Sequence, residues 1–278
     1  MKNFTHKLIF MTDLHITSPG KTIIGLDPIE RFRLCLAHAS KNHADADGLI
    51  LMGDLTHNGT EEQYELFKRT TIDIPWPLHM TIGNHDLRAN FKNIFPEAAT
   101  NKNGFIQHSV PVGDHTVILM DTNDTTIEPY HGGNLCKSRL SWLKAELRNK
   151  RDQSVIVAMH HPPFVTGFPG MDNIGLNNSN DFNNIIRASP AVSMVIAGHV
   201  HRTILGASGG KPCAILKSPC HQMPLDLYGE NSSSSVDEPG AYGLLLLGKD
   251  SQVLLTEDVG LKNNTRRLGH NLIRTETR

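Results

Sequence analysis

The segment Leu8-Ile9-Phe10-Met11-Thr12-Asp13-Leu14-His15 is an apolar run that ends in a carboxylate and an imidazole. The arrangement recurs four times: Gly48–Met52 runs into Gly53-Asp54, residues 78–82 into Gly83-Asn84-His85-Asp86, residues 155–159 into His160-His161, and residues 194–197 into Gly198-His199-Val200-His201. Short continuous apolar runs read as buried strands, and residues 117–120 add one more. Open α/β sheets place their binding crevices beyond the carboxyl ends of strands. Five strands therefore deliver Asp13, His15, Asp54, Asn84, His160, His199 and His201 to one place. Asp13 and His15 are two residues apart, as are His199 and His201, so each pair projects from one face of extended backbone toward a common ion. Carboxylate, imidazole and carboxamide donors suit first-row cations, and the set predicts a binuclear metal site.

Each element alone is weak. Asp-x-His occurs by chance, Gly-Asp is more often a turn, and His160-His161-Pro162-Pro163 can simply end a strand. The ordered recurrence at strand ends carries the inference. His57, His79, His108, His115 and His131 lack paired spacing and read as surface or packing histidines.

Helical patterns separate the early runs. Asp27-Pro28-Ile29-Glu30 forms a capping box with proline at the first helical position, and Ile29, Phe32, Leu36 and Ala39 line one face. Thr60 with Gln63 repeats the capping signal, and Leu140, Leu143 and Leu147 mark a third helix after Ser138. The pattern is α/β. After His201, residues 204–207, 213–216, 242–247 and 253–256 are separated by glycine, proline and serine, which predicts a strand meander. Residues 167–184 are rich in glycine and asparagine and read as a loop at the active edge, or as a solvated connector. The tail 262–278 is basic and without apolar period, and reads as frayed or ordered against a partner subunit.

With 27 basic and 28 acidic residues, the chain has no global field for a polyanion, so a nucleic-acid polymer is not expected. Cys35, Cys136, Cys213 and Cys220 show no Cys-x-x-Cys spacing, and reduced thiols are the default. No run approaches membrane-spanning length and no signal-peptide core precedes residue 10, so cytoplasmic residence is expected. The 278 residues are read as one domain, with a metal-ligand core at about 7–201, a strand and substrate-loop region at about 202–260, and the basic tail.

The ordered set from Lys7 to about His201 resembles the calcineurin-like metallophosphoesterase superfamily. His160-His161-Pro162-Pro163 and Gly198-His199-Val200-His201, with Pro219-Cys220-His221-Gln222 and Pro239-Gly240-Ala241-Tyr242, resemble the branch of class III cyclic nucleotide phosphodiesterases and bacterial glycerophosphodiesterases. The resemblance implies a four-layer α/β/β/α sandwich with two central sheets. It implies one metal on Asp13, His15, Asp54 and His201, and a second on Asp54, Asn84, His160 and His199, with Asp54 bridging. Local sequence lets either His160 or His161 point inward; the resemblance selects His160. It also makes His85 the phosphate-contacting or leaving-group-protonating histidine, with Asp86 either orienting it or capping the turn. His221 reads as pocket-lining or structural.

A phosphodiester repels hydroxide until cations neutralise its oxygens, and two cations also acidify a bridging water and stabilise the leaving oxygen. Attack by a metal-bridging hydroxide on a small phosphodiester, such as a cyclic nucleotide or glycerophosphodiester, is therefore the expected activity. A phosphomonoesterase or nucleotidase with the same centre is the alternative, because metal ligands do not encode the number of ester substituents. A non-catalytic scaffold of the same fold is opposed by the filled ligand positions. Iron, manganese, zinc and cobalt all fit the donor types. A homo-oligomer is open, and residues 219–242, enclosing 231–235, are expected to set which diester is accepted.

Overall fold

The computed structural model describes residues 3–229 and 233–261. The chain begins β1 (His6–Met11), α1 (Pro28–Asn42), β2 (Gly48–Met52), α2 (Glu61–Thr71), β3 (Leu78–Thr81) and α3 (Arg88–Ile94). It continues β4 (His108–Val112), β5 (His115–Met120), α4 (Lys137–Asn149), β6 (Ser154–Met159), α5 (Pro169–Asp172), α6 (Ser179–Arg187) and β7 (Val192–Ala197). Four strands close it: β8 (Ile204–Ser208), β9 (Lys211–Ile215), β10 (Ala241–Leu247) and β11 (Gln252–Asp258). They form a five-stranded sheet in the order β11-β10-β1-β2-β3 and a six-stranded sheet in the order β4-β5-β6-β7-β9-β8. In the first, β1-β2-β3 are parallel; in the second, β5-β6-β7-β9 are parallel. Every strand that ends in a candidate ligand lies in one of these parallel sets.

Side-chain alternation explains why the ligand strands are apolar throughout. Leu8 and Phe10 of β1, Ile50 and Met52 of β2, Val117 and Leu119 of β5, and Ile156 and Ala158 of β6 pack together between the sheets. Their neighbours Ile9, Met11, Leu49 and Leu51 face outward and are covered by Phe32, Cys35, Leu36 and Ala39 of α1 and Tyr64 and Phe67 of α2. On the opposite side, Val155, Val157 and Met159 meet Leu143 and Leu147 of α4 and Phe182, Ile185 and Ile186 of α6. A strand buried on both faces has no polar face to show. The result is two sheets with helices outside each, the α/β/β/α layering that the resemblance implies.

Two helix starts follow the capping signals, whereas α4 begins at Lys137, one residue ahead of Ser138, and Cys136 at its N-cap makes no side-chain cap bond. Asp27 accepts hydrogen bonds from the backbone of Ile29 and Glu30, and Thr60 from that of Gln63. Gln63 reaches past Thr60 to bond the backbone and side chain of Asn58, a longer clasp than the usual box.

Elsewhere the structure departs from the sequence expectation. Residues 167–184 hold α5 and most of α6 rather than an open loop, and α3 and β4 had no counterpart among the expected elements. The strands after His201 do not form a single meander. β8 and β9 pair with each other at the end of the second sheet, whereas β10 and β11 pair at the end of the first. Residues 230–232 of the expected specificity segment and the basic tail 262–278 lie outside the described residues.

Candidate metal centre

The seven candidate ligands do arrive at one place, by a different backbone route from simple alternation. Asp13, His15, Asp54, His199 and His201 have φ of 59°, 49°, 47°, 72° and 52°. The backbone therefore coils left-handed as it leaves β1, β2 and β7, which turns both members of each pair inward. Aspartate and histidine tolerate this region better than most residues, at about 1–3 kcal/mol each. Two glycines permit the close packing: a Cβ on Gly83 would lie 2.3 Å from Asp54 Oδ1, and one on Gly198 would lie 2.0 Å from Thr12 Oγ1.

The side-chain atoms form two overlapping sets. His15 Nε2 lies 3.0 Å from His201 Nε2, and His201 Nε2 lies 3.3 Å from Asp13 Oδ1. His160 Nε2 lies 3.0 Å from Asn84 Oδ1. Asp54 Oδ2 stands between the sets, 3.7 Å from His15 Nε2 and 3.3 Å from His160 Nε2. Donors surrounding an ion at ~2.1 Å in octahedral geometry are ~3 Å apart, so both sets have the dimensions of a cation site. His199 Nε2 is buried with no hydrogen-bond partner, and its ring lies 5.1 Å from that of His160. A buried, unpartnered imidazole nitrogen beside a carboxylate cluster fits a metal ligand.

Further atoms of five of these ligands are tied down. His160 Nδ1 donates to Met52 O at 3.1 Å and His201 Nδ1 to His221 O at 2.8 Å, leaving each Nε2 facing the cluster. Asp54 Oδ1 accepts from His85 N, and both Asp13 oxygens accept from His199 N. Asn84 Nδ2 donates to His131 Nδ1 at 2.9 Å, which turns Oδ1 toward His160.

Protonation responds to the same geometry. Burial opposes a charge on His160, but the Asp54 and Asp13 carboxylates outweigh it and push the imidazole up to about 9. His201 is raised in the same sense, with Asp13 outweighing burial. Burial holds His15 and His199 well below the usual histidine range. A cation binding at His160 Nε2 competes with the proton that the carboxylates favour there, which couples metal uptake to proton release.

His161 is committed elsewhere. Its Nε2 donates to His131 O and its Nδ1 accepts from Thr122 Oγ1, and burial lowers it to about 3. The geometry thus favours His160 over its neighbour as the inward ligand. His85 Nδ1 donates to His57 O at 2.8 Å, which leaves Nε2 for the cavity. The carbonyl of His57, rather than Asp86, orients this ring. The Asp86 carboxylate is taken up by the backbone of Leu55, Thr56 and Gly83 and the hydroxyls of Thr56 and Tyr64. It clasps the β2 and β3 loops together, which is the turn-capping alternative. Burial, reinforced by Asp54, raises it to about 6.

Two site residues escaped the sequence reading. His57 and His131 flank the His85 ring, with centroids 5.2 Å and 4.8 Å away and planes inclined by 23° and 24°. His57 follows Asp54 by three residues, a spacing that hints at the site; His131 carries no local signal. His221 lines the cavity and lies 4.5 Å, ring to ring, from His201.

These groups form the floor of a cavity of about 380 Å³ rimmed by Ile23, Ile24, Met171, Ile174 and Met223 and by Ser233, Ser234 and Ser235. A larger groove of about 790 Å³, between α4 and α6, holds none of the candidate ligands. Among the described residues, no helix is long and apolar enough to cross a membrane.

Residues 6–203 match the family model for calcineurin-like phosphoesterases. A Rhodopseudomonas palustris protein named as a probable cyclic nucleotide phosphodiesterase is 32% identical, over 89% of this chain and 90% of its own. An Arcobacter nitrofigilis protein named as a probable glycerophosphodiester phosphodiesterase is 29% identical, over 94% and 93%. The crystal structure of a dimetal phosphatase from Danio rerio shares the fold with a TM-score of 0.71 at 12% identity, over 92% of this chain and 97% of its own. The match over residues 6–203, which contains every one of the seven candidate ligands, shows that the chain belongs to the calcineurin-like phosphoesterase family.

Proposed function

We propose that this chain, as one domain, is a binuclear metal-dependent phosphodiesterase acting on a small phosphodiester. The observation that carries the reading is the position of Asp54 Oδ2 between two donor sets, 3.7 Å from His15 Nε2 and 3.3 Å from His160 Nε2. Asp13, His15, Asp54 and His201 hold one cation; Asp54, Asn84, His160 and His199 hold the other. Two bound cations supply neutralisation of the phosphoryl oxygens and an acidified water for in-line attack. His85 presents Nε2 to the cavity to contact the phosphoryl group or protonate the departing oxygen, with Nδ1 fixed by the His57 carbonyl. Asp86 acts through the loops it clasps.

A diester is favoured over a monoester by the cavity lining. Among the described residues lining it, there is no lysine or arginine to meet the second charge of a monoester, and the rim offers apolar side chains for a second organic substituent. The names of the two relatives support the same substrate class. The donor set takes iron, manganese, zinc or cobalt, with iron and manganese our assignment. The four free cysteines support residence in the reducing cytoplasm. The test is a comparison of metal-reconstituted protein on cyclic nucleotides, glycerophosphodiesters and matched aryl mono- and diesters. Higher kcat/KM on diesters is expected; preference for the monoesters supports the phosphomonoesterase alternative instead.

A further inference from the structure

Residues 23–26 make a tight turn beside the metal centre. Ile23 N donates to Leu26 O at 2.9 Å and Leu26 N to Ile23 O at 2.8 Å, while the two residues between, Ile24 and Gly25, have φ of 47° and 86°. Consecutive left-handed residues are the signature of a type I′ turn, whose central positions favour asparagine and glycine. Gly25 conforms. Ile24 does not: a β-branched side chain at positive φ crowds its own backbone, which makes it an outlier. Burial does little to offset this, because Ile24 remains 52% exposed.

An isoleucine that is both strained and half exposed is a poor choice for folding, and glycine would serve the turn better. The turn has little freedom to relax. Thr17 Oγ1 bonds Lys21 O before it, and Asp27 caps α1 immediately after it. What the side chain does have is a position on the rim of the cavity that contains His85, His57 and His221. Strain retained at a cavity rim points to a contact made with ligand.

We propose that Ile24 is a specificity-determining residue that receives the spectator substituent of the diester, the organic group that does not depart. It selects for large apolar or planar substituents over small ones. The proposal rests on the phosphodiesterase reading above and deepens it.

The test uses two substrates that share a nitrophenolate leaving group, methyl p-nitrophenyl phosphate and phenyl p-nitrophenyl phosphate, with the full-length, metal-reconstituted protein. Wild type is expected to prefer the phenyl ester. Ile24→Gly should reduce the phenyl-to-methyl ratio of kcat/KM by about tenfold, the effect of losing roughly two buried methylene-sized contacts, mainly through KM for the phenyl ester. Ile24→Leu should retain the preference. The Ile24→Gly protein should carry the same metal content and melt at or above the wild-type temperature, because glycine relieves the left-handed backbone. An unchanged ratio in Ile24→Gly, or a wild type without preference, overturns the role of Ile24 alone. A lower melting temperature in that variant also overturns it, since the residue then supports the fold. Wild type that hydrolyses neither ester contradicts the phosphodiesterase reading and this proposal with it.

Discussion

The Asp54 carboxylate divides its oxygens, Oδ1 accepting the His85 N–H and Oδ2 standing between His15 and His160. Replacing it should therefore disturb both cation positions at once. Asp54→Ala is expected to lose both metals, and Asn84→Ala mainly the second, as read by elemental analysis after controlled dialysis. Two equivalents retained by the Asp54 variant would refute the bridging assignment. His85 is a different kind of residue, held by the His57 carbonyl and stacked between two imidazoles. His85→Ala should keep both metals and lose about 100-fold or more in turnover of alkyl diesters, with a smaller loss for nitrophenyl esters, whose leaving group needs no proton. An equal loss on both classes would replace proton donation with phosphate positioning. The residue types and their order were legible because each follows an apolar run. The backbone that aims them was not, since the expected extended alternation gives way to left-handed φ at Asp13, His15, His199 and His201. Nor was His131, whose bond to Asn84 spans 47 residues.

At the scale of elements, the helix starts were the clearest local signals, because a capping side chain must sit within three residues of the donors it satisfies. Asp27 meets both Ile29 N and Glu30 N. Asp27→Ala should cost about 1 kcal/mol, a fall of about 2 °C in melting temperature for a chain of this size. Calorimetry on the metal-loaded protein checks this, and an unchanged midpoint would mean that the cap contributes nothing. Elements without such signals were not legible. α3 has seven residues and no side-chain cap bond. β4 is an edge strand interrupted by Pro111, a position open to proline only because its outer side needs no donor. In α6 the apolar residues Phe182, Ile185 and Ile186 make a single turn of period among asparagines, too short to read against a loop composition.

The whole molecule places its candidate metal centre across the two sheets. Asp13, Asp54 and Asn84 follow β1, β2 and β3 of one sheet, while His160, His199 and His201 follow β6 and β7 of the other. Polar bonds tie the sheets together there: Asn123, just after β5, donates to the carbonyls of Gly83 and Asp86, and the buried Arg139 guanidinium fixes the Asn123 segment by bonding the carbonyls of Asp121 and Asn123. The apolar runs announced strands covered on both faces, but which layer covers which face is a long-range property that no single run encodes. The two-sheet arrangement came from the family resemblance. An intersheet centre that needs both halves should bind two cations and work only when both are present. The direct measurement is chelation to the metal-free protein followed by stepwise reconstitution, with metal content and aryl diester hydrolysis followed together. No turnover without metal and a plateau at two equivalents per chain are expected; turnover that survives metal removal, or saturates at one equivalent, would rule out a binuclear centre.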